Sequence, residues 1–430
     1  MKRDILTPIL CLAILFLAII ETQHVNFTSA NFIPPPPELP YAYIKADGTV
    51  EPETLPIHRA GNTYTLTGNI TNCTLVIQCS DVVLDGAGYM LQGNDTGKGI
   101  ILENTNNVTI RKLTLRNLRF GIYFQQSTEC TITQNDIALT EVGIFIGSSS
   151  NNNIVGNNIT GNFQGVLLIE YSNYNSIVEN RISENSMAGI MLEFANNHTS
   201  NYNNIIRNIM ANNGVFGIRV SSSFNCRIEG NNITGSECGM QLHGSACRNN
   251  RLIGNWITNC SCAFQMTGDC NHNTIAENVI ANNQVGIDIF ASSNNEFYRN
   301  DFVKNNLQVN NGYVENDNLT IGASINTWSR GSEGNFWSDY NGTDFNGDGI
   351  GDIPYVIDAS NKDSRPFMKP LIFPAVTIPD SNEGKENDLT TQNTEPFPNA
   401  LAITISVVSF VAVFAGLLVY FKKRKRGQPK

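Results

Sequence analysis

Positive charge is scarce in this 430-residue chain outside its last few residues. The chain has 28 Lys and Arg against 38 Asp and Glu, which gives a formal net charge of −10. The first 30 residues are balanced and residues 422–430 contribute +6, so residues 31–421 carry −16. An acidic surface of this kind attracts cations and repels phosphate groups. We therefore expect no nucleic-acid partner.

Long hydrophobic runs occur only near the two ends. Residues 5–20 follow Lys2 and Arg3 and precede a small-residue cleavage site; this pattern is typical of a secretory signal peptide, with a retained anchor as the alternative. Residues 400–421 hold no charge and are long enough to cross a bilayer of about 30 Å. The basic residues that follow are typical of a cytoplasmic anchor. The pattern predicts a single-pass protein of the cell membrane, with the bulk of the chain extracellular and the C-terminus cytoplasmic.

The middle of the chain lacks both a leucine repeat and a helix-length apolar stripe, which argues against a leucine-rich repeat. What recurs is asparagine, at intervals of 22 to 28 residues, with an apolar residue three positions before and two positions after each one. This asparagine column is Asn135, Asn157, Asn180, Asn208, Asn231, Asn255, Asn278 and Asn300. A second column, the glycine column, keeps the same step: Gly99, Gly121, Gly143, Gly165, Gly189, Gly217, Gly239, Ala263 and Gly286.

A period of this length is typical of one coil of a parallel β-helix. A single coil cannot bury its own apolar residues, whereas stacked coils share one core. Equivalent side chains then lie about 4.8 Å apart in rows, so asparagines in a bend pass their amide hydrogen bonds from coil to coil. Glycine is expected to supply the backbone angles of the corner. The repeats predict an all-β solenoid, a parallel β-helix of about ten or eleven coils.

Three further stretches, together with the coils, resemble a known family. They are "GNTYTLTGNI" (Gly61 to Ile70), "VVLDGAGYMLQG" (Val82 to Gly93) and "GNFWSDYNGTDFNGDGIGDIPYVI" (Gly334 to Ile357). They are similar to NosD-type right-handed β-helix proteins, a group within the wider set of carbohydrate-binding proteins and sugar hydrolases. The arrangement of signal, cap and anchored tail is similar to archaeal cell-surface members. The resemblance implies a right-handed solenoid but no single activity, because this fold carries many.

The sequence divides into segments along these lines. An inserted loop from Ala195 to Asn203 is the largest departure from the period, and "IPPPPELP" before the coils is an extended spacer. The predicted segments are a signal peptide (1–30), an N-terminal arm and cap (31–63), the parallel β-helix (64–317), a C-terminal cap (318–373), a polar stalk (374–399), a transmembrane helix (400–421) and a basic tail (422–430).

Export makes the Asn-x-Ser/Thr sequons candidate glycosylation sites. An Asn-rich chain produces some of them by chance, and one lies within the signal peptide. The others begin at Asn69, Asn72, Asn94, Asn107, Asn158, Asn197, Asn232, Asn259, Asn318 and Asn341.

Acidic residues gather in one short motif of the predicted cap. Oxygen ligands at alternating positions before a glycine turn suit calcium, which takes six to eight oxygens. An EF-hand would close with a glutamate at position 12, where this chain has Tyr355. Asp339 and Asp363 are further candidate ligands, and a solvated acidic turn is the alternative. The motif predicts a structural calcium ion held by Asp344, Asn346, Asp348, Ile350 and Asp352.

Two pairs among the ten cysteines share a register. Cys238 and Cys262 each precede the glycine column, and Cys247 and Cys270 each lie eight residues before the asparagine column. The coil spacing falls within the Cα window of a disulfide, so an oxidising exterior favours Cys238–Cys262 and Cys247–Cys270 disulfides. Stacked free thiols are the alternative.

The resemblance to NosD-type proteins also implies a copper-accessory role. Coils eight to ten carry the soft side chains that such a site uses, although the two methionines are expected in the core. The candidates are Cys238, Met240, His243, Cys260, Cys262, Met266, Cys270 and His272.

Neighbouring carboxylates are missing from the two rows in which an active site was sought. Cleavage of a glycan requires carboxylates clustered on one face. Two residues after the glycine column, the row reads Ile101, Tyr123, Phe145, Leu167, Met191, Arg219, Gln241, Gln265 and Asp288. One residue after the asparagine column, it reads Asp136, Asn158, Arg181, Ile209, Asn232, Trp256, Val279 and Asp301. No catalytic residue is predicted.

The first of these rows is unusual because its first five members are apolar, although strand alternation points them outward. An exposed apolar strip marks a binding surface or a docked segment. A ligand platform is predicted, with its aromatic rings stacking on sugars; cover by the N-terminal arm is the alternative. Its residues are Ile101, Tyr123, Phe145, Leu167 and Met191. The sequence thus favours a non-enzymatic protein that binds a polysaccharide or contributes to the envelope, over a polysaccharide lyase, a glycoside hydrolase or a copper-accessory protein.

Overall fold

The computed structural model of the protein describes residues 39–371, except 196, 197, 313, 317, 318, 322 and 323, together with residues 373 and 375. The predicted signal peptide, transmembrane helix and basic tail lie outside the described residues, as does most of the predicted stalk. Within the described part, no helix has the length and apolarity that crossing a membrane requires. That part consists of strands joined by turns and bends.

The strands stack into three faces. One face is a twelve-stranded sheet in which only the first strand is antiparallel to its neighbour. Its strands are Ile57–Ala60, Thr63–Leu66, Val83–Asp85, Thr109–Arg111, Thr131–Thr133, Asn153–Val155, Ser176–Val178, Asn204–Ile206, Arg227–Glu229, Arg251–Ile253, Thr274–Ala276 and Glu296–Tyr298. The solenoid has about eleven coils, as predicted.

The other two faces belong to one 23-stranded sheet, because the strands Thr114–Gln125 and Asp136–Gly147 contribute to both. The long-strand face adds Tyr41–Ile44, Thr74–Ile77, Lys98–Glu103, Gln164–Ile169, Ala188–Leu192, Phe216–Ser221, Cys238–His243, Cys262–Thr267, Val285–Phe290 and Leu307–Asn311. The short-strand face adds Ile70–Thr71, Met90–Gln92, Asn158–Thr160, Arg181–Ser183, Ile209–Ala211, Asn232–Thr234, Trp256–Thr258, Val279–Ala281, Asp301–Val303 and Phe336–Trp337. Outside the faces lie Val50–Glu51, Val314–Asn316, Leu319–Ile321, Tyr355–Val356 and Lys362–Asp363.

Inward side chains from the three faces form one core. The apolar residue three positions before each column asparagine lies in register with its equivalents, so Ile154 pairs with Ile132 on one side and Ile177 on the other. All three are fully buried, and the rows join into a single cluster that runs along the solenoid. The predicted parallel β-helix is confirmed.

The predicted asparagine ladder is present. From Asn135 to Asn300, each Nδ2 donates to the Oδ1 of the next column member at 2.9–3.0 Å. Each Nδ2 also donates to a backbone carbonyl, as Asn157 does to Ile132 at 2.8 Å. These partners satisfy the buried amides, which would otherwise be costly. Two further ladders, which sequence reasoning did not single out, include Asn250–Asn273–Asn295 and Asn162–Asn185–Asn213.

The glycine column is required for a different reason from the predicted one. None of its glycines has a left-handed φ. A Cβ on Gly121 would lie only 2.5 Å from the carbonyl oxygen of Gly143 on the next coil, so a side chain would push the coils apart. The left-handed residue instead directly precedes each column asparagine, as at Gly156 (φ 64°) and Glu179 (φ 55°). The expectation that these glycines supply the corner angles is wrong.

An aromatic stack closes the C-terminal end of the core. Its stacked pairs, with ring centroids 4.2–4.3 Å apart, are Phe297–Trp328, Phe302–Trp337 and Trp337–Tyr355. Asp363 is buried below the stack and accepts a hydrogen bond from Trp337 Nε1 at 2.9 Å; burial raises the pKa of its carboxyl group. Asp339 accepts a hydrogen bond from the Tyr355 hydroxyl. Both acids therefore already accept hydrogen bonds from side chains of the cap.

Candidate functional site

The long-strand face offers three outward positions in each strand: one residue before the glycine column, two after it and four after it. Residues at the same position lie in register on successive coils. The middle row therefore aligns as predicted. Its residues change from apolar to polar between Met191 and Arg219. We call the two parts the apolar half (Ile101, Tyr123, Phe145, Leu167, Met191) and the polar half (Arg219, Gln241, Gln265, Asp288, Asn310).

Aromatic rings in the apolar half pack mainly against each other. The rings of Tyr123 and Phe145 are parallel, with centroids 4.7 Å apart. Phe120, from the row before the glycine column, contacts both edge-on at 5.4 and 5.5 Å. Lys98 Nζ, from the preceding coil, lies 3.7 Å from the Tyr123 ring centroid. Both faces of the Tyr123 ring are therefore occupied.

The predicted platform is in register but unevenly exposed. Ile101 and Met191 are only 7% and 4% exposed, whereas Tyr123, Phe145 and Leu167 are half-buried. Burial also raises the pKa of the Tyr123 hydroxyl. The expected stacking of Tyr123 on a sugar ring does not fit this geometry, because only its edge and hydroxyl remain accessible. Ligand binding by the platform stays a prediction.

Side chains of the protein itself cover Met191. Ala188, Met191, Phe216 and Cys238 form a small apolar cluster separate from the solenoid core, against which Leu167, Met187 and Val215 pack. The described part of the N-terminal arm does not cover this row, since Tyr41–Ile44 pairs with Thr74–Ile77 and extends the face by one strand.

The polar half is a chain of side-chain hydrogen bonds that crosses successive coils. Gln241 Nε2 donates to Gln265 Oε1 at 2.6 Å, and Gln265 Nε2 donates to Asp288 Oδ2 at 2.9 Å. Asn310 Nδ2 donates to Asp288 Oδ1 at 2.7 Å from the other side. Although it points outward, Gln241 is only 1% exposed, because its neighbours pack over it.

Glu193 and Arg219 form an ion pair at the boundary between the two halves. Arg219 Nε lies 3.0 Å from Glu193 Oε1, and the side chains are 9% and 24% exposed. The contact is not aligned as a hydrogen bond, so both atoms lack a hydrogen-bond partner, as does Gln241 Oε1 on the next coil. Burial raises the pKa of Glu193, and the charge of Arg219 opposes the shift. A carboxyl group in such surroundings is a functional-site candidate.

Sequence reasoning missed Glu193 because the search covered only one outward row of this face. Glu193 lies four residues after Gly189, at the third outward position. A search of that row for acids next to the lone arginine of the middle row would have found the pair.

A second aromatic group is exposed at the corner that follows the long-strand face. Tyr171 and Tyr174 are each 54% exposed. Each stacks on a ring of the next coil, Tyr171 on His198 at 3.9 Å and Tyr174 on Tyr202 at 4.9 Å. The preceding coil has only serine and asparagine at residues 148–153, so the other ring faces meet no aromatic neighbour there. The inserted loop supplies His198 and Tyr202, and its departure from the repeat was the sequence signal that could have indicated this aromatic group.

The cysteine pairs are stacked as free thiols, and all nine described cysteines are free. Cys238 and Cys262 lie in register on adjacent coils. A hydrogen bond with the Cys238 thiol, together with burial, holds the pKa of Cys262 well above its ordinary value. The Cys247 thiol and burial do the same for the pKa of Cys270. The two disulfides stay a prediction.

The soft side chains considered for copper do not converge. Met240, Met266 and Cys260 lie in the core, whereas His243 faces outward beside Thr267 and His272 is exposed at a turn. Burial raises the pKa of Cys260 to about 11, which favours the thiol over the thiolate in the absence of a metal. In the described part of the chain, no group of three or more His, Cys, Asp or Glu is placed to hold a metal ion. The copper-accessory role stays an expectation.

The predicted calcium loop is closed by hydrogen bonds to its own backbone. The Asp344 carboxylate accepts from the N–H groups of Gly347 and Gly349 at 2.6 and 2.9 Å. Asp352 accepts from the N–H of Phe345 at 2.6 Å. The carboxylates therefore already point into the loop, and calcium binding stays a prediction.

None of the eight predicted glycosylation sites within the described residues lies on the long-strand face. The sequon asparagines within the described residues are exposed, except the half-buried Asn232. Asn197 and Asn318 lie outside the described residues.

Two family models match the chain and confirm the resemblance seen in its sequence. The family described as "Right handed beta helix region" matches residues 98–257. The family described as "Periplasmic copper-binding protein (NosD)" matches residues 198–342. The protein is thus a right-handed parallel β-helix, and residues 198–342 are similar to the NosD family.

Several solved structures are similar to this chain at low identity. The A-module of mannuronan C-5 epimerase AlgE4 from Azotobacter vinelandii is 12% identical over 64% of this chain and 87% of that one, with a TM-score of 0.44. The polygalacturonase of Erwinia carotovora ssp. carotovora is 10% identical over 66% and 100%, with a TM-score of 0.40. The tailspike protein of E. coli bacteriophage HK620, in complex with a pentasaccharide, is 11% identical over 55% and 49%, with a TM-score of 0.40. No curated protein matches the chain.

Proposed function

We propose that this protein is a non-enzymatic β-helix that binds an extended glycan along its long-strand face. The observation that carries the proposal is the middle row, in which apolar and hydrogen-bonding side chains follow one another in register across the coils. Such a row repeats its contacts about every 4.8 Å. Contacts at a fixed repeat suit a polymer better than a small molecule.

The boundary between the halves supports the proposal. Three buried polar atoms without a hydrogen-bond partner lie there on consecutive coils: Glu193 Oε1, Arg219 Nε and Gln241 Oε1. Native structures leave few such atoms, and each calls for an explanation. A sugar hydroxyl both donates and accepts, so it satisfies any of the three after a small side-chain movement. The exposed rings of Tyr171 and Tyr174 add the aromatic surface that ligand sites combine with a few polar groups.

A glycan array probed with the full chain in detergent tests the proposal. Each aromatic contact is worth about 1 kcal/mol, so Tyr171→Ser with Tyr174→Ser should weaken binding by roughly tenfold or more. Tyr123→Ser with Phe145→Ser should weaken it less, because these rings already stack on each other. Tyr89→Ser, an exposed tyrosine away from this face, is the matched control. The proposal fails if no glycan binds. If Tyr123→Ser with Phe145→Ser unfolds the protein, the apolar half is packing surface.

We also propose that the chain is exported and held at the cell membrane by residues 400–421, with its bulk extracellular. The support is the apolar run and the basic residues behind it. Protease added to intact cells should digest the solenoid and leave a membrane-bound C-terminal fragment. Recovery of the intact chain from the soluble fraction would contradict this topology.

Calcium in the cap loop is a further proposal, supported by the inward carboxylates of Asp344 and Asp352. An ion that binds only the folded state stabilises it by about 2.7 kcal/mol at one hundred times its dissociation constant. A chelator should therefore lower the melting temperature, and Asp348→Asn should reduce this effect. An unchanged melt with and without chelator would rule the ion out.

A sugar-cleaving activity is the second candidate, and Glu193 is the observation that favours it. A carboxyl group whose pKa is raised by burial can act as a general acid. A reducing-sugar assay with polysaccharides that the protein binds distinguishes the two functions. Activity that disappears in Glu193→Gln, with binding retained, would make this protein an enzyme.

A further inference from the structure

The long-strand face carries more carboxylates than cations. We consider its nine strands from Lys98–Glu103 to Val285–Phe290, with residues 120–125 and 142–147 of the two long strands, and one flanking residue on either side. The cations are Lys98, Arg119 and Arg219, and the carboxylates are Glu103, Glu141, Glu170, Glu193, Glu237 and Asp288. Three cations against six carboxylates leave a net charge of −3. A ligand on this face meets a negative potential.

Both arginines of the face are already held by carboxylates of the protein. Arg219 Nε lies 3.0 Å from Glu193 Oε1, and Arg119 Nε lies 3.0 Å from Glu141 Oε2. Recognition of a sugar carboxylate normally uses an arginine fork. Taking Arg219 for that purpose would leave the half-buried Glu193 without its counter-charge, which is costly. The third cation, Lys98, lies over the Tyr123 ring.

The remaining polar groups of the middle row are mostly amides. Gln241, Gln265 and Asn310 each carry both donors and an acceptor, and Asp288 accepts from two of them. Amides match hydroxyl and acetamido groups, and a surplus of carboxylates matches amines. We infer that the face selects uncharged or amine-bearing polysaccharides and rejects uronic-acid polymers. This inference rests on the proposed glycan binding and names its ligand class.

Three oligosaccharides of equal length test the inference: a cello-oligosaccharide, a fully deacetylated chito-oligosaccharide and an oligogalacturonate. Binding to the full chain in detergent is measured at low and high salt, in buffer that contains calcium. We expect the first two to bind and the oligogalacturonate to bind roughly tenfold more weakly or worse at low salt, because the face repels it. Salt should narrow this gap, because the charges are exposed to screening.

A charge-reversed face provides the matched test. Glu103→Lys with Glu237→Lys, both at exposed positions, should strengthen oligogalacturonate binding by roughly tenfold. Glu129→Lys with Glu184→Lys makes the same change in chain charge at exposed positions off the face, and should leave that binding unchanged. Oligogalacturonate binding to the native chain as tight as that of the cello-oligosaccharide would overturn the inference and leave glycan binding intact. If none of the three binds, the proposed function itself fails.

Discussion

The apolar and polar halves of the long-strand face lie on the same parallel strands and in the same register, yet they bury their outward row by different means. Met191 is 4% exposed because Phe216 and Cys238 pack around it. Gln241 is 1% exposed and is hydrogen-bonded to Gln265 on the next coil. Apolar burial is favourable by about 25 cal/mol per Å², whereas burial of a polar atom is costly unless that atom is hydrogen-bonded.

This difference indicates which half is specialised for a ligand. The apolar half is satisfied by its own contacts, since its rings already stack on each other. The polar half and its boundary hold three buried polar atoms without a hydrogen-bond partner, two of which form an ion pair with each other. Stability alone does not explain such atoms, because an aliphatic row on the same backbone would avoid their cost. The polar half is therefore the better candidate for specificity, and the apolar half for support.

The largest effect should come from breaking the ion pair at the boundary. Arg219→Met leaves the half-buried Glu193 without a counter-charge, which should lower the free energy of unfolding by up to about 3–5 kcal/mol. Arg119→Met removes the matched pair with Glu141, whose side chains are 59% and 51% exposed, and should cost about 0–1 kcal/mol. Chemical denaturation measures both. Equal losses would show that the Glu193–Arg219 pair is no more buried in solution than an exposed one.

The inward rows were predictable from sequence, and the outward packing was not. Burial requires an apolar residue before each asparagine and a ladder amide in each bend, so residues such as Ile154 and Asn157 repeat at every coil. Outward positions need not repeat, and their fate depends on neighbours one coil away. Met191 is apolar and was expected to be exposed, but the inserted loop lengthens the step to the next coil without changing its register, so Phe216 still reaches it.

The candidate site was predictable only in part for the same reason. Register alone gave the middle row and the stacking of Cys238 with Cys262. It did not give the partner of Arg219, because Glu193 occupies a different outward row on another coil. Register also did not predict that both faces of the Tyr123 ring are occupied, because this depends on the side-chain conformations of Lys98 and Phe145.

The thiols at the boundary provide the second test. Cys238 belongs to the apolar cluster, and Cys262 lies beside it on the next coil. If both are oxidised outside the cell, the disulfide should add about 3 kcal/mol of stability. Unreduced peptide mapping should link Cys238 to Cys262, and Cys247 to Cys270 in the core. Free thiols at all four positions in exported protein would show that the stacking is packing alone.

Replacing an apolar residue of the middle row by an amide, and an amide of that row by an apolar residue, should lower the free energy of unfolding by smaller and unequal amounts. Met191→Gln places an amide in the apolar cluster; Gln164 Nε2, which lies 3.2 Å from Met191 Sδ, can donate to its oxygen, but its NH2 group is placed beside Phe216 and Cys238, and the change should cost about 1–3 kcal/mol. Gln241→Met removes an acceptor that already lacks a partner and one hydrogen bond to Gln265 Oε1; because Gln265 is only half-buried and water can replace that donor, the change should cost less, about 1 kcal/mol. Denaturant unfolding of both variants compares the halves directly. The distinction between them breaks down if Gln241→Met is the more damaging change.

The smallest effect is a dependence of stability on pH that should arise at Glu193. Burial raises the pKa of this carboxyl in the folded state above its ordinary value of 4.5. Between the pKa of the unfolded state and that of the folded state, the folded protein binds more protons than the unfolded one. The contribution of Glu193 to stability is therefore greatest at low pH and falls as the pH rises through the folded-state pKa. Unfolding of the native chain and of Glu193→Gln should therefore be compared from about pH 4 to pH 8. Asp363, whose pKa is also raised by burial, is present in both chains and cancels in the difference.

The stability of the native chain relative to Glu193→Gln should decline as the pH rises. A difference that grows with pH would mean that the attraction of Arg219 outweighs burial and that the carboxyl is charged in the folded protein at a lower pH than in the unfolded one; it would then no longer be a candidate acid.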